Sequence, residues 1–165
     1  MRHQYQMAYW TRLKVRLSKN FTLAEFCKSS TADRLGIDNV PTNQEYINNI
    51  QLLVNKVLQP VRDYFGLTII TSGYRVLALN RAIGSKDTSQ HTTGQAVDFE
   101  VPGIDNAGIA QWVADNCEFD QLILEFYTPG QPQSGWVHCS LKPDGSNRRQ
   151  KLTINKSGTY TGLLH

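Results

Sequence analysis

The chain has 165 residues, enough for one hydrophobic core without disulfide support, and its 40% hydrophobic and 19% charged residues are ordinary for a globular protein. Its longest apolar run is far too short to span a bilayer, which excludes membrane insertion through a helix. The net charge of +3 is small and dispersed, with none of the basic stripe that a nucleic-acid partner requires.

Along the chain, residues 1–20 read as a basic N-terminal segment open to flexibility, 21–156 as a single domain and 157–165 as a C-terminal tail. The first segment has no continuous apolar stretch, since Tyr9, Trp10, Leu13, Val15 and Leu17 are interrupted by Thr11, Arg12, Lys14 and Arg16, so no secretory signal is read there. Thr22-Leu-Ala-Glu25 and Thr42-Asn-Gln-Glu45 are capping-box patterns, and each predicts a helix start. After the second, apolar residues from Tyr46 to Phe65 recur at spacings of three and four. They predict one helix ending before Gly66, with Pro60 a candidate kink. Strands are expected over 67–72, 96–101, 121–126 and 136–141, and helices over 76–83 and from an Asp105 cap to Cys117. Cys27, Cys117 and Cys139 are scattered and odd in number. They read as free buried thiols of a chain folded in a reducing compartment.

Alternation within three of these strands assigns faces. Val97, Phe99 and Val101 share one side, which leaves Ala96, Asp98 and Glu100 on the other. Leu122, Leu124 and Phe126 oppose Gln121, Ile123 and Glu125, and Val137, Cys139 and Leu141 oppose Trp136, His138 and Ser140. If the strands share an antiparallel sheet with helices on the apolar side, Asp98, Glu125 and His138 converge on the other. The turn at Gly94 then brings His91 alongside.

Each histidine alone reads as well as a hydrogen-bonded structural residue, but His3 and His165 lie in the expected tails and the other two fall on the carboxylate-bearing face. Imidazole and carboxylate suit Zn2+, and three protein ligands, His91, Asp98 and His138, leave a fourth position for water whose pKa falls to about 7. Glu125 is the candidate general base, or else a solvated or salt-bridged strand residue. Arg75, in Ser72-Gly-Tyr-Arg75, is a candidate to bind a substrate carboxylate or developing oxyanion, or else a surface arginine paired with an acid. Ser89, Gln90 and Trp136 flank the ligands as candidate substrate-binding or wall residues.

The order Ser72-Gly-Tyr-Arg75, Ser89-x-His91-x-x-Gly94-x-Ala96-x-Asp98, Trp136-x-His138 resembles the zinc D-alanyl-D-alanine carboxypeptidase family, whose relatives include D,D-dipeptidases, phage endolysin peptidases and, more distantly, the hedgehog signalling domain. The resemblance covers residues 21–142. It implies an α+β fold, an antiparallel sheet with helices packed on one face and a zinc site on the other, with one Zn2+ per chain held by His91, Asp98 and His138, and Arg75 at the substrate carbonyl or carboxylate. Many relatives carry an acidic residue three positions before the last histidine ligand, where this chain has Gly135; the Leu122–Phe126 strand resembles a branch in which an upstream glutamate, here Glu125, takes that role. The expected function is a monomeric zinc peptidase of the endolysin or D,D-carboxypeptidase type. It would be made in a host cytoplasm and would act on peptidoglycan stem peptides of the wall or periplasm next to a D-amino acid. The alternatives are a non-catalytic zinc-stabilised binding domain of a phage particle and a bacterial D,D-dipeptidase.

Overall fold

The first helix begins where the sequence pattern places it. In the computed structural model, which describes residues 14–164, the Glu25 carboxylate accepts from the Thr22 N–H at 2.7 Å and starts α1, Leu23–Cys27. A second short helix, α2, Ser30–Leu35, is capped by the Ser29 side chain and ends at Gly36 in the left-handed conformation. The long helical stretch is capped by Asn43 rather than Thr42. The Asn43 Oδ1 accepts from the Glu45 N–H, and the stretch runs as α3, Gln44–Leu53, a π-helical turn, Val54–Leu58, and α4, Gln59–Phe65. The wide turn lies directly before Pro60, where the missing N–H leaves the helix one bond short, and there the Gln59 N–H reaches back to the Val54 carbonyl.

Strand β1, Ile69–Ser72, is followed by α5, Leu77–Ala82, a 3-10 turn, Gln90–Thr93, and β2, Ala96–Glu100. Helix α6, Asn106–Asn116, is capped by Asp105, and β3, Gln121–Glu125, β4, Trp136–Ser140, β5, Gln150–Asn155, and β6, Gly158–Thr161, complete the chain. The six strands lie in the order β1-β2-β4-β3-β5-β6, antiparallel except for the parallel pair β3–β5. One face carries Val97, Phe99, Leu122, Leu124, Val137 and Cys139 into the core against Ile50, Leu53, Val57, Leu58 and Val61 of the long helix and Ile109 and Val113 of α6. Each of these fully buried aliphatic or aromatic side chains contributes about 1.5–3 kcal/mol. Three buried cysteines, Cys27, Cys117 and Cys139, are free thiols.

Phe126 does not continue the inward-facing set of β3. Its φ of 54° turns the chain out of the sheet, and the ring lies 5.3 Å from that of Trp136, largely exposed. At the ends, residues 1–13 and 165, with most of the basic N-terminal segment, lie outside the described residues, while Leu17 is buried and Arg16 bridges Thr22. Residues 158–161, expected within a C-terminal tail, instead form β6. No helix among the described residues is long and apolar enough to cross a membrane.

Candidate metal centre and active site

The face opposite the core holds the site because cross-strand partners share a side of a sheet. Asp98 of β2 pairs with His138 of β4, His138 pairs with Ile123 of β3, and Glu125 stands two residues further along β3, opposite Trp136. His91 arrives from the 3-10 turn. Gly94 closes that turn with φ 73°, and a Cβ there would lie 2.5 Å from the Tyr46 carbonyl oxygen, so only glycine lets the loop sit against α3.

His91, Asp98 and His138 are all buried, and one ligand atom from each lies within 4.8 Å of the others. His91 Nε2 is 3.4 Å and His138 Nδ1 2.7 Å from Asp98 Oδ1. A tetrahedral zinc ion bound at about 2.0–2.1 Å spaces its donor atoms by about 3.4 Å, so the three side chains fit that ion with small torsional adjustments. The orientation of His91 is fixed from behind. Its Nδ1 lies 2.7 Å from the Gly73 carbonyl oxygen, which can only accept, so Nδ1 carries the proton and the Nε2 lone pair faces the centre. Burial, the main influence, pushes the His91 pKa down, the direction that favours the neutral ring a metal ligand needs. Burial opposes the Asp98 carboxylate, but the charges and hydrogen bonds of His91 and His138 outweigh it and hold Asp98 well below the ordinary carboxylate range.

Arg75 joins the same cluster. Its Nε and Nη2 both donate to Ser72 Oγ, at 3.0 and 2.8 Å, and Nη2 donates to Asp98 Oδ2 at 3.1 Å. Arg75 therefore occupies the outer oxygen of Asp98 and leaves Oδ1 to the histidines, while its Nη1 has no partner among the described residues. The Glu125 carboxylate makes no hydrogen bond or ion pair among the described residues; burial, followed by the charge of Asp98, raises its pKa.

Gly135 has a backbone reason. It adopts φ 65°, and a Cβ built there would lie 1.8 Å from the Glu125 carbonyl oxygen, so the bend that places Glu125 on the site face admits only glycine opposite it. Of the flanking residues, Trp136 packs on Phe126 at the Glu125 end, with its indole Nε1 buried. Ser89 and Gln90 line a cavity on the other side of His138, where Gln90 Nε2 donates to Asp120 at 3.1 Å. Sequence reading misses Gly73, whose carbonyl orients His91, and Asp120, which anchors the wall of that cavity. Gly73 was visible only as the middle of Ser72-Gly-Tyr-Arg75, and Asp120 carries no motif at all.

No curated protein matches the chain. A family model described as Peptidase M15 matches residues 19–140, a span that contains Arg75, all three candidate ligands and Glu125. With that match over most of the sequence, and a buried His-Asp-His group on the free face of an α+β sheet, the chain belongs to the M15 family of zinc D-alanyl-D-alanine carboxypeptidase-like peptidases.

Proposed function

We propose that the protein is a zinc peptidase that hydrolyses bacterial peptidoglycan stem peptides at a bond next to a D-amino acid, with one zinc ion per chain held by His91, Asp98 and His138. The observation that carries this reading is the convergence of three buried ligand atoms within 4.8 Å, with the unpaired carboxylate of Glu125 on the same face. Bound zinc supplies a positive charge that acidifies water and polarises a carbonyl.

The chain's own groups do the rest. Glu125 takes a proton from the attacking water at a carboxylate oxygen and delivers it to the nitrogen of the leaving amine, a role suited to a carboxylate whose pKa is raised toward neutrality. Arg75 directs its free Nη1 hydrogens at the substrate's developing oxyanion or carboxylate, while its bonds to Ser72 and Asp98 keep the guanidinium from swinging away. Trp136 and Phe126 wall the Glu125 end.

Digestion of purified peptidoglycan by the zinc-loaded protein, with and without chelator, tests the reading through mass spectrometry of the released fragments. Chelator-sensitive release at a bond flanked by a D-residue is expected, and the fragment lost distinguishes endopeptidase from carboxypeptidase. One zinc per chain with no release from polymer or free stem peptide would turn the assignment toward a binding domain.

A further inference from the structure

Centre and cavity lie along one line on the sheet. Moving down β3, Glu125 stands opposite Trp136, Ile123 opposite His138 and Gln121 opposite Ser140, so each step of two residues advances about 7 Å. On the Gln121 side of His138 the face opens into a cavity of about 490 Å³ lined in part by Gln90, Gln95, Gln121, Lys142 and Arg148. A peptide lying along this face with its reacting carbonyl at the centre places groups one or two residues away in that cavity.

Its lining holds one carboxylate, Asp120, against two cations, Lys142 and Arg148, with Asp144 acting on Lys142 from outside the lining. Asp120 is fully buried at the floor, and both of its oxygens are filled. Oδ1 accepts from the Arg148 N–H at 3.0 Å and Nε at 2.9 Å, and Oδ2 from Arg148 Nη2 at 2.6 Å and Gln90 Nε2 at 3.1 Å. These four donors use the four acceptor directions a carboxylate offers. Lys142 Nζ stands 3.6 Å from the already saturated Oδ1 and has one carbonyl, that of Ser146, at 3.3 Å. Its three donors thus exceed the acceptors within reach, and the side chain, one-third exposed, lines the cavity. The Gln95 backbone N–H donates to the Gln90 carbonyl, while its side-chain amide has no hydrogen-bond partner among the described residues. Lys142 and Arg148 both lie beyond residue 140, where the family match ends, so this wall is built by the chain's own C-terminal segment.

We propose that this cavity is a substrate subsite for a free carboxylate, with Lys142 its specificity-determining cation. The proposal rests on the peptidase reading above. It identifies the preferred substrate as a stem peptide carrying an unamidated carboxylate within one or two residues of the cut bond.

The probes are two synthetic stem pentapeptides ending in D-Ala-D-Ala that differ only in whether the α-carboxylate of the D-glutamate is free or amidated. Their binding to the zinc-loaded full chain carrying Glu125→Gln is measured by chemical-shift titration, and their hydrolysis by the wild-type chain is measured separately. The free-carboxylate peptide is expected to bind about ten-fold more tightly, the loss typical of one charge-assisted hydrogen bond. Lys142→Met should erase that ratio and Lys142→Arg restore it, with zinc content and melting temperature unchanged in both. A wild-type ratio near one, or a ratio that survives Lys142→Met, overturns the subsite. Hydrolysis without discrimination would reject the subsite and keep the peptidase, whereas discrimination in binding with neither peptide hydrolysed would reject the peptidase and keep the subsite.

Discussion

Gly135 and Glu125 are two ends of one backbone arrangement. From sequence, Gly135 reads as the place where an acid is missing, but at φ 65° and with a Cβ position 1.8 Å from the Glu125 carbonyl oxygen, no side chain fits there. Phe126, at φ 54°, completes the bend, and an uncommon left-handed conformation beside the proposed general base is where local strain is often held. Gly135→Ala should therefore destabilise the protein by at least about 3 kcal/mol. Gly130→Ala, at φ 79° with open space around it, should cost only about 1 kcal/mol. Urea unfolding of the two variants makes the comparison, and equal costs would mean the 125–135 crossing is looser than the structure has it. Glu125→Gln is nearly isosteric, so it should retain fold and zinc while kcat drops by about 10²–10⁴. A turnover rate close to wild type in a zinc-replete Glu125→Gln enzyme would move the proton-transfer role to another group.

Elements differ in how clearly the sequence announces them, for physical reasons. β2, β3 and β4 are buried on both faces, but one face is apolar and the other largely polar, so their alternation reveals both the strands and the face on which Asp98, His138 and Glu125 meet. His91 was placed by the glycine turn that follows it. β5 and β6 were not legible: their side chains are mostly exposed or half-exposed, so no apolar stripe marks them. They are held by tertiary contacts instead. The Arg149 guanidinium lies 4.7 Å over the Phe119 ring and its Nη2 donates to the Ala114 carbonyl in the last turn of α6, while Arg148 is locked to Asp120. Burial alone would raise the Asp120 pKa, but the hydrogen bonds and charge of Arg148, with Gln90, hold it at about 2, below its ordinary 3.8. A carboxylate with a depressed folded pKa contributes stability that is complete above the unfolded value and lost as pH falls through the folded one. Asp120→Asn should thus be less stable than wild type by about 3 kcal/mol at pH 7, and the gap should narrow steadily from pH 4 toward pH 2. Urea titrations at pH 7, 4 and 2.5 read it directly, and a gap that stays constant would show that Asp120 acts by shape rather than charge.

On the scale of the whole molecule, core and site are on opposite faces of one sheet, and the three candidate ligands contribute nothing to the apolar cluster beneath it. This separates the protein from small zinc domains, in which the metal supplies the folding energy and its removal unfolds the chain. Here the helices and the inner sheet face bury their apolar side chains whether or not the outer face holds an ion, and Arg75 offsets part of the Asp98 charge. The chelated protein should keep its far-UV circular dichroism and a single cooperative melt. With the proposed ligands, zinc would bind only the folded arrangement, because His91, Asp98 and His138 come from a turn and two strands that only the fold brings together. By mass action, free zinc at a hundred times Kd adds about 2.7 kcal/mol. For a chain of this size that is a rise in Tm of about 5–10 °C. His138→Ala should melt at one temperature regardless of added zinc and retain less than stoichiometric metal. If chelation alone unfolded the wild-type chain, the ion would belong to the architecture, and the separation of core from site would not be the basis of its stability. If instead zinc moved the melting temperature of His138→Ala as far as that of wild type, the ion would sit elsewhere, and the ligand set drawn from the shared face of β2 and β4 would have to be abandoned.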